Sequence, residues 1–182
     1  MNWISTILVA TATFLAVFWE AAFQVFRRLL GVQIDLLPAL TIYAALCGSL
    51  STGCLVAGLG GLLFESLSAN PLGISVLPLF VAGLATHVWR DLILKQQVFA
   101  QTVLGLAASA AVPLMQLLLL LTAGRAPQLG WGTLWQLIVM SLGGAVATPV
   151  LFFIFEWLQQ MLSHAPVVET SFRPDREIRR GR

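Results

Sequence analysis

The sequence predicts an all-α integral membrane protein with about six transmembrane helices. Three observations carry that reading. Hydrophobic residues make up 58% of the chain and charged residues only 10%, whereas a soluble domain carries about a quarter charged residues. The mean hydropathy is +0.89. The apolar residues also fall into runs close to the ~20 that a helix needs to cross a bilayer. A chain of 182 residues suits one compact membrane domain, and residues 1–162 are assigned to it.

The first span runs from Trp3 to about Phe26 and ends at Arg27, Arg28 and Gly31. No Lys or Arg precedes it, so the positive n-region of a cleavable signal is lacking and the helix is expected to be retained. From Leu36 to Phe64 there is no charge at all. A single helix of that length would run ~43 Å, longer than the hydrocarbon core. The turn-forming run Gly48-Ser49-Leu50-Ser51-Thr52-Gly53 divides it into two short spans, Leu36 to Gly48 and Gly53 to Leu67. The fourth span is Gly73 to Trp89, closed by Arg90, Asp91 and Lys95. The fifth is Val98 to Thr122, with a kink expected at Pro113, and the sixth is about Trp131 to Leu158, with a kink expected at Pro149. Ser163 to Arg182 is polar and arginine-rich, the composition of a disordered basic tail.

Cationic residues set the expected orientation. Six spans put both termini on the side that holds the Ser49 turn, Arg90, Lys95 and the tail residues Arg173, Arg176, Arg179, Arg180 and Arg182. Arg27, Arg28 and Arg125 fall on the other side. The majority places both termini in the cytoplasm of a plasma membrane. The net charge of +2 is small and its only dense cluster is the tail, which excludes nucleic acid and favours anionic lipid or a cytoplasmic protein.

Few residues could carry chemistry. The sequence has no HExxH, no Walker lysine motif, and no nucleophile accompanied by a suitable His and acid. Its histidines are His87, near a helix end with Asp91 one turn on, and His164 in the tail. Cys47 and Cys54 lie in apolar surroundings and are expected to act as small hydrophobes. The chain is therefore read as non-enzymatic, with no cofactor and no metal. Of the acidic residues within spans, Glu20 and Glu156 fall late in their helices and are expected at the interface. Glu65 lies only ~18 Å along a short helix and opens the polar run Glu65-Ser66-Leu67-Ser68-Ala69-Asn70-Pro71-Leu72-Gly73. That run is either a connecting loop in which Glu65 pairs with backbone amides or a shaped polar feature of the outer face.

Small residues recur at helix-packing spacing: Cys54, Gly58 and Gly61, with Ala57 four before Gly61; Gly105 and Ser109; Gly143 and Ala147. In lipid, where burial brings no hydrophobic gain, such stripes let helices approach closely. Gly58 is expected to pack tightly against a neighbour.

The segment from Leu36-Leu37-Pro38 onward, and above all Gly58-Leu59-Gly60-Gly61-Leu62-Leu63-Phe64-Glu65-Ser66-Leu67-Ser68-Ala69-Asn70-Pro71-Leu72-Gly73, resembles the MreD family of rod shape-determining membrane proteins. The family pattern is a glycine-rich helix reaching an acidic residue, then a small polar turn and Leu-Gly. The likeness covers about Leu36 to Leu94, including Arg90, and is weak in the first span and tail. Here the acid is Glu rather than the usual Asp. The resemblance implies a scaffold of the cell-elongation machinery that binds MreC and, with MreB, RodZ and the RodA–transpeptidase synthase, sets cell shape. It also implies a fold similar to the substrate-binding subunits of energy-coupling-factor transporters. The candidate interaction motif is Gly58, Gly61, Glu65, Ser66, Asn70, Pro71, Gly73 and Arg90. A small-molecule-binding subunit of such a transporter is the alternative, with Glu65, Ser66, Asn70, Gln101 and Gln116 as its polar set; a lipid-modifying enzyme ranks below both.

Overall fold

The computed structural model describes residues 3–22, 31–32, 34–68, 71, 73–90, 97–124 and 130–162. Among them the chain is helical, without strands: α1 (Trp3–Ala22), α2 (Leu37–Cys47), α3 (Leu50–Leu67), α4 (Val76–Val88), α5 (Val98–Thr122) and α6 (Trp131–Leu162). Three of these, α3, α5 and α6, are long and apolar enough to cross a membrane, the mark of a membrane protein; α2, α4 and the stretch Thr6–Ala22 of α1 are shorter apolar helices. The predicted tail lies outside the described residues, as do Arg27, Arg28, Asn70, Asp91, Lys95 and Arg125.

The shortest helix is the centre of the bundle. α2 has no polar face, a composition that suits burial either in protein or in lipid, and here it is protein that encloses it. All residues from Leu37 to Leu46 are buried, and α2 touches each of the other five helices. Both hydroxyls within that run are bonded: Thr41 donates back to Leu37 O at 2.8 Å, and Tyr43 accepts from Gln159 Nε2 at 2.9 Å. α1 packs on α2 and α3, while α5 and α6 form the most extensive pair. The Tyr43 ring stacks on Phe155 with centroids 4.4 Å apart and meets Phe152 edge-on at 5.0 Å, joining α2 to α6.

Small residues set how near the helices come. A Cβ at Gly60 would stand 2.6 Å from Leu37 Cδ2 and 3.0 Å from Thr13 Cγ2, so α1, α2 and α3 meet at that level. A Cβ at Gly61 would stand 2.8 Å from Val76 Cα, where α3 meets the start of α4. Between α5 and α6, Gly105 faces Thr148 and the Gly144 carbonyl, and Gly144 faces Ser109. Two expectations are corrected here. Gly58 is half-buried and a Cβ there would meet nothing within 4 Å, so it makes no tight contact. In α6 the interlocking residues are Gly144 and Thr148, one position on from the expected Gly143 and Ala147; Gly143 abuts Ile34 instead.

The α2–α3 turn is also tighter than its composition implies. Only Gly48 and Ser49 separate the helices, because Ser49 accepts the Thr52 amide at 3.3 Å and caps α3, which draws Ser51, Thr52 and Gly53 into the helix. α5 and α6 run as single helices through Pro113 and Pro149. Exposed tryptophans gather near helix ends, at Trp19, Trp89, Trp131, Trp135 and Trp157. Trp135 and Trp157 stand ~33 Å apart along α6, close to the thickness of a hydrocarbon core between its aromatic belts.

Candidate functional site

Two short helices, α2 and α4, start where water is scarce, and each start leaves backbone amides that need acceptors. Carboxylates supply them in both cases. Glu65, 2% exposed at the end of α3, accepts the Gly73 amide through Oε2 at 2.7 Å and the Ser75 amide through Oε1. At the start of α2, Glu20 Oε1 accepts the Leu36 amide at 2.6 Å and Asp35 Oδ1 accepts the Leu37 amide at 2.8 Å. Both capping sets lie in the same half of the bundle: α2 and α3 are joined by a tight turn, and Leu37 lies beside Gly60, well along α3 from that turn.

This geometry decides among the acidic residues. Glu156 is exposed on α6. Glu20, expected late in its helix, is 7% exposed and accepts the amide of Leu36, 16 residues on. Asp35, also 7% exposed, does not stand out in the sequence because it precedes an apolar run rather than interrupting one. The available signal was its place two residues before Leu37-Pro38, since Asp is a preferred helix cap and Pro is favoured in the first turn.

Of the motif residues, the structure gathers Gly61, Glu65 and Gly73 into one unit at the α3–α4 connection. Gly61 lets Val76 approach, and Gly73 has φ +96, a left-handed conformation that suits glycine. Ser66 is exposed on the helix and donates to Leu63 O at 2.8 Å. Pro71 is half-buried beyond it, and Asn70 falls outside the described residues. Arg90 stands apart from this unit, following α4 at the opposite end of that helix. There too is His87, whose Nδ1 lies 3.1 Å from Ala45 O.

Chemically, the Glu65 unit sets an exposed Ser66 and Gly73 beside a buried acid bonded to the Gly73 and Ser75 amides. Both Glu65 oxygens are taken by backbone amides, and the Ser66 hydroxyl by its own helix, so these polar groups do not converge on a shared space. Among the described residues no group of three or more His, Cys, Asp or Glu is placed to hold a metal ion. No protein-family model, no curated protein and no solved structure matches the chain.

Proposed function

We propose that the chain is a non-enzymatic membrane scaffold subunit of the bacterial cell-elongation complex, of the MreD type, which binds MreC and helps control peptidoglycan synthesis. The observation that carries this reading is the stretch Gly58–Gly73, whose order of glycine-rich helix, acidic residue, polar turn and Leu-Gly is that of the family. In support, its acid and its terminal glycine are bonded to each other as one turn. MreB, RodZ and the RodA–transpeptidase synthase would be reached as further members of the same assembly, and anionic lipid by the basic tail.

In this reading all six helices cross the plasma membrane and both termini face the cytoplasm. The Glu65 turn then lies on the outer side and the Ser49 turn on the inner. α2, only ~17 Å long, is shorter than the hydrocarbon core is thick, and its start is enclosed by protein as non-helical backbone at that depth requires. The transporter-subunit alternative gains no support from the polar set, since Glu65 and Ser66 are bonded to backbone.

The test is depletion in the rod-shaped bacterium that encodes the chain. Cells are expected to round up, and tagged protein extracted in mild detergent is expected to bring MreC with it. Normal rods after clean deletion would refute the reading, and a terminal tag accessible from outside the cell would refute the topology.

A further inference from the structure

We infer that the lipid-facing surface of the bundle has two heights, and that the bilayer against α3 and α4 is thinned to about 20 Å. The inference rests on the reading in which α4 crosses the membrane. α4 has 13 residues, a length of ~20 Å, whereas the hydrocarbon core is ~30 Å thick. Its outer face is apolar from end to end: Leu77, Phe80, Val81, Leu84 and Val88 are exposed at helical spacing. From Leu77 to Val88 that stripe is only ~17 Å tall. Exposed Gly73 stands before it, and Trp89 and Arg90 follow it.

α3 gives a second measure. Its exposed Leu55, Leu59 and Leu62 lie between two exposed serines, Ser51 and Ser66, ~23 Å apart. The two helices are level at both ends. Glu65 holds the Gly73 and Ser75 amides at one, and Leu50 and His87 line the same small cavity at the other. On α6, by contrast, Leu142, Val146, Val150 and Phe153 are exposed between Trp135 and Trp157, ~33 Å apart.

A span too long for the bilayer can tilt, but a short one gains no height that way. It is met by thinner lipid or by long flanking side chains that reach outward. At the Glu65 end the exposed residues among those described are Ser66, Leu67 and Gly73, and none of them can reach outward. Thinning meets the deficit: headgroups on that side come down to the Glu65 turn, while α5 and α6 keep the ordinary thickness.

The test places single nitroxides at Leu77→Cys, Val88→Cys and Phe153→Cys, in a Cys47→Ala, Cys54→Ala background of the full chain in dioleoyl-phosphatidylcholine vesicles. All three sites are exposed, so the labels displace no packed side chain. Leu77 and Val88 lie ~8 Å from the middle of their stripe, and Phe153 ~10 Å from the midpoint between Trp135 and Trp157. In a bilayer of even thickness all three would sit in hydrocarbon. A water-soluble nickel chelate is expected to relax the labels at Leu77 and Val88 as fully as one at Ser66→Cys, and to leave the label at Phe153 unaffected. A ketone-bearing amino acid at the same positions carries the label in a chain that keeps both cysteines, should the background fail to fold. Membrane-impermeant maleimide on spheroplasts tests the crossing separately: Ser66→Cys and Trp89→Cys should react from opposite sides. Reaction from one side overturns the crossing of α4 and the inference with it. Opposite sides with either α4 label shielded from nickel, by full-height lipid or by a second copy of the chain, overturns the thinning alone.

Discussion

Glu65 accepts the backbone amide of Gly73 at 2.7 Å across eight residues of chain, and its other oxygen takes the amide of Ser75. One carboxylate thus closes the α3–α4 turn and caps the start of α4. Hydrogen bonds to a charged group contribute about 1.5–3 kcal/mol, and a buried amide left unmet costs about 1–3 kcal/mol. Glu65→Ala is therefore expected to destabilise the protein by about 3 kcal/mol, and Glu65→Gln, with one acceptor oxygen in place of two, by about half as much. Thermal unfolding in detergent measures both, and an alanine variant that melts with the wild type would remove Glu65 from this role.

The start of α2 yields a second prediction. Asp35 and Glu20 serve adjacent amides, of Leu37 and Leu36. Asp35→Ala and Glu20→Ala are each expected to cost about 1–2 kcal/mol, at the upper end of the range for cap residues because water cannot replace the lost acceptor. The exposed Glu156→Ala should change stability by less than about 0.5 kcal/mol. Because the two caps are neighbours, the double variant should depart from additivity. Equal melting of all three single variants would contradict the assignment.

Much of this architecture was legible in the residues, for reasons that can be stated. Uncharged runs, bounded by charged residues or, between α2 and α3, by the turn residues from Gly48, mark the six described helices, and α5 begins and ends where its flanking polar residues place it, at Val98 and Thr122. What could not be read was which helix sits inside. α2 looks like half of a broken span, since its composition matches that of lipid-facing helices, and only packing distinguishes burial in protein from burial in lipid. The same ambiguity hid the caps. Nothing along α1 announces the partner of Glu20, because the Leu36 amide that it accepts lies 16 residues further on. Spacing alone likewise cannot say which of two adjacent glycines, Gly143 or Gly144, faces α5.

Glycines in α3 give a third prediction, with opposite signs at two positions three apart. A Cβ at Gly61 would stand 2.8 Å from Val76 Cα and 3.0 Å from Val76 N, and backbone cannot rotate away as a side chain can. Gly61→Ala is expected to force α3 and α4 apart at a cost of about 1–3 kcal/mol. Gly58 faces open space, so Gly58→Ala should be neutral or stabilise by about 0.5–1 kcal/mol through the better helix propensity of alanine. Melting temperatures that fall equally for both variants would show that the register of α3 is wrong.

The last prediction tests the link between the central helix and α6. The Tyr43 hydroxyl accepts from Gln159 Nε2 at 2.9 Å, a contact between residues 116 apart in sequence, while the ring packs on Phe155 and Phe152. Tyr43→Phe keeps the ring contacts and removes only the hydroxyl, so it should cost about 1 kcal/mol, the net worth of one hydrogen bond. Gln159→Leu leaves the Tyr43 hydroxyl without that donor and should cost a similar amount. If the bond is what joins them, the double variant costs less than the sum, with a coupling of about 1 kcal/mol in a double-mutant cycle. Tyr43→Ala should exceed both, at about 3–5 kcal/mol, because it empties the site that Tyr43, 1% exposed, fills between α2 and α6. Strict additivity of the two single changes would place Gln159 outside this contact and leave the aromatic stack as the whole of the α2–α6 link at this level.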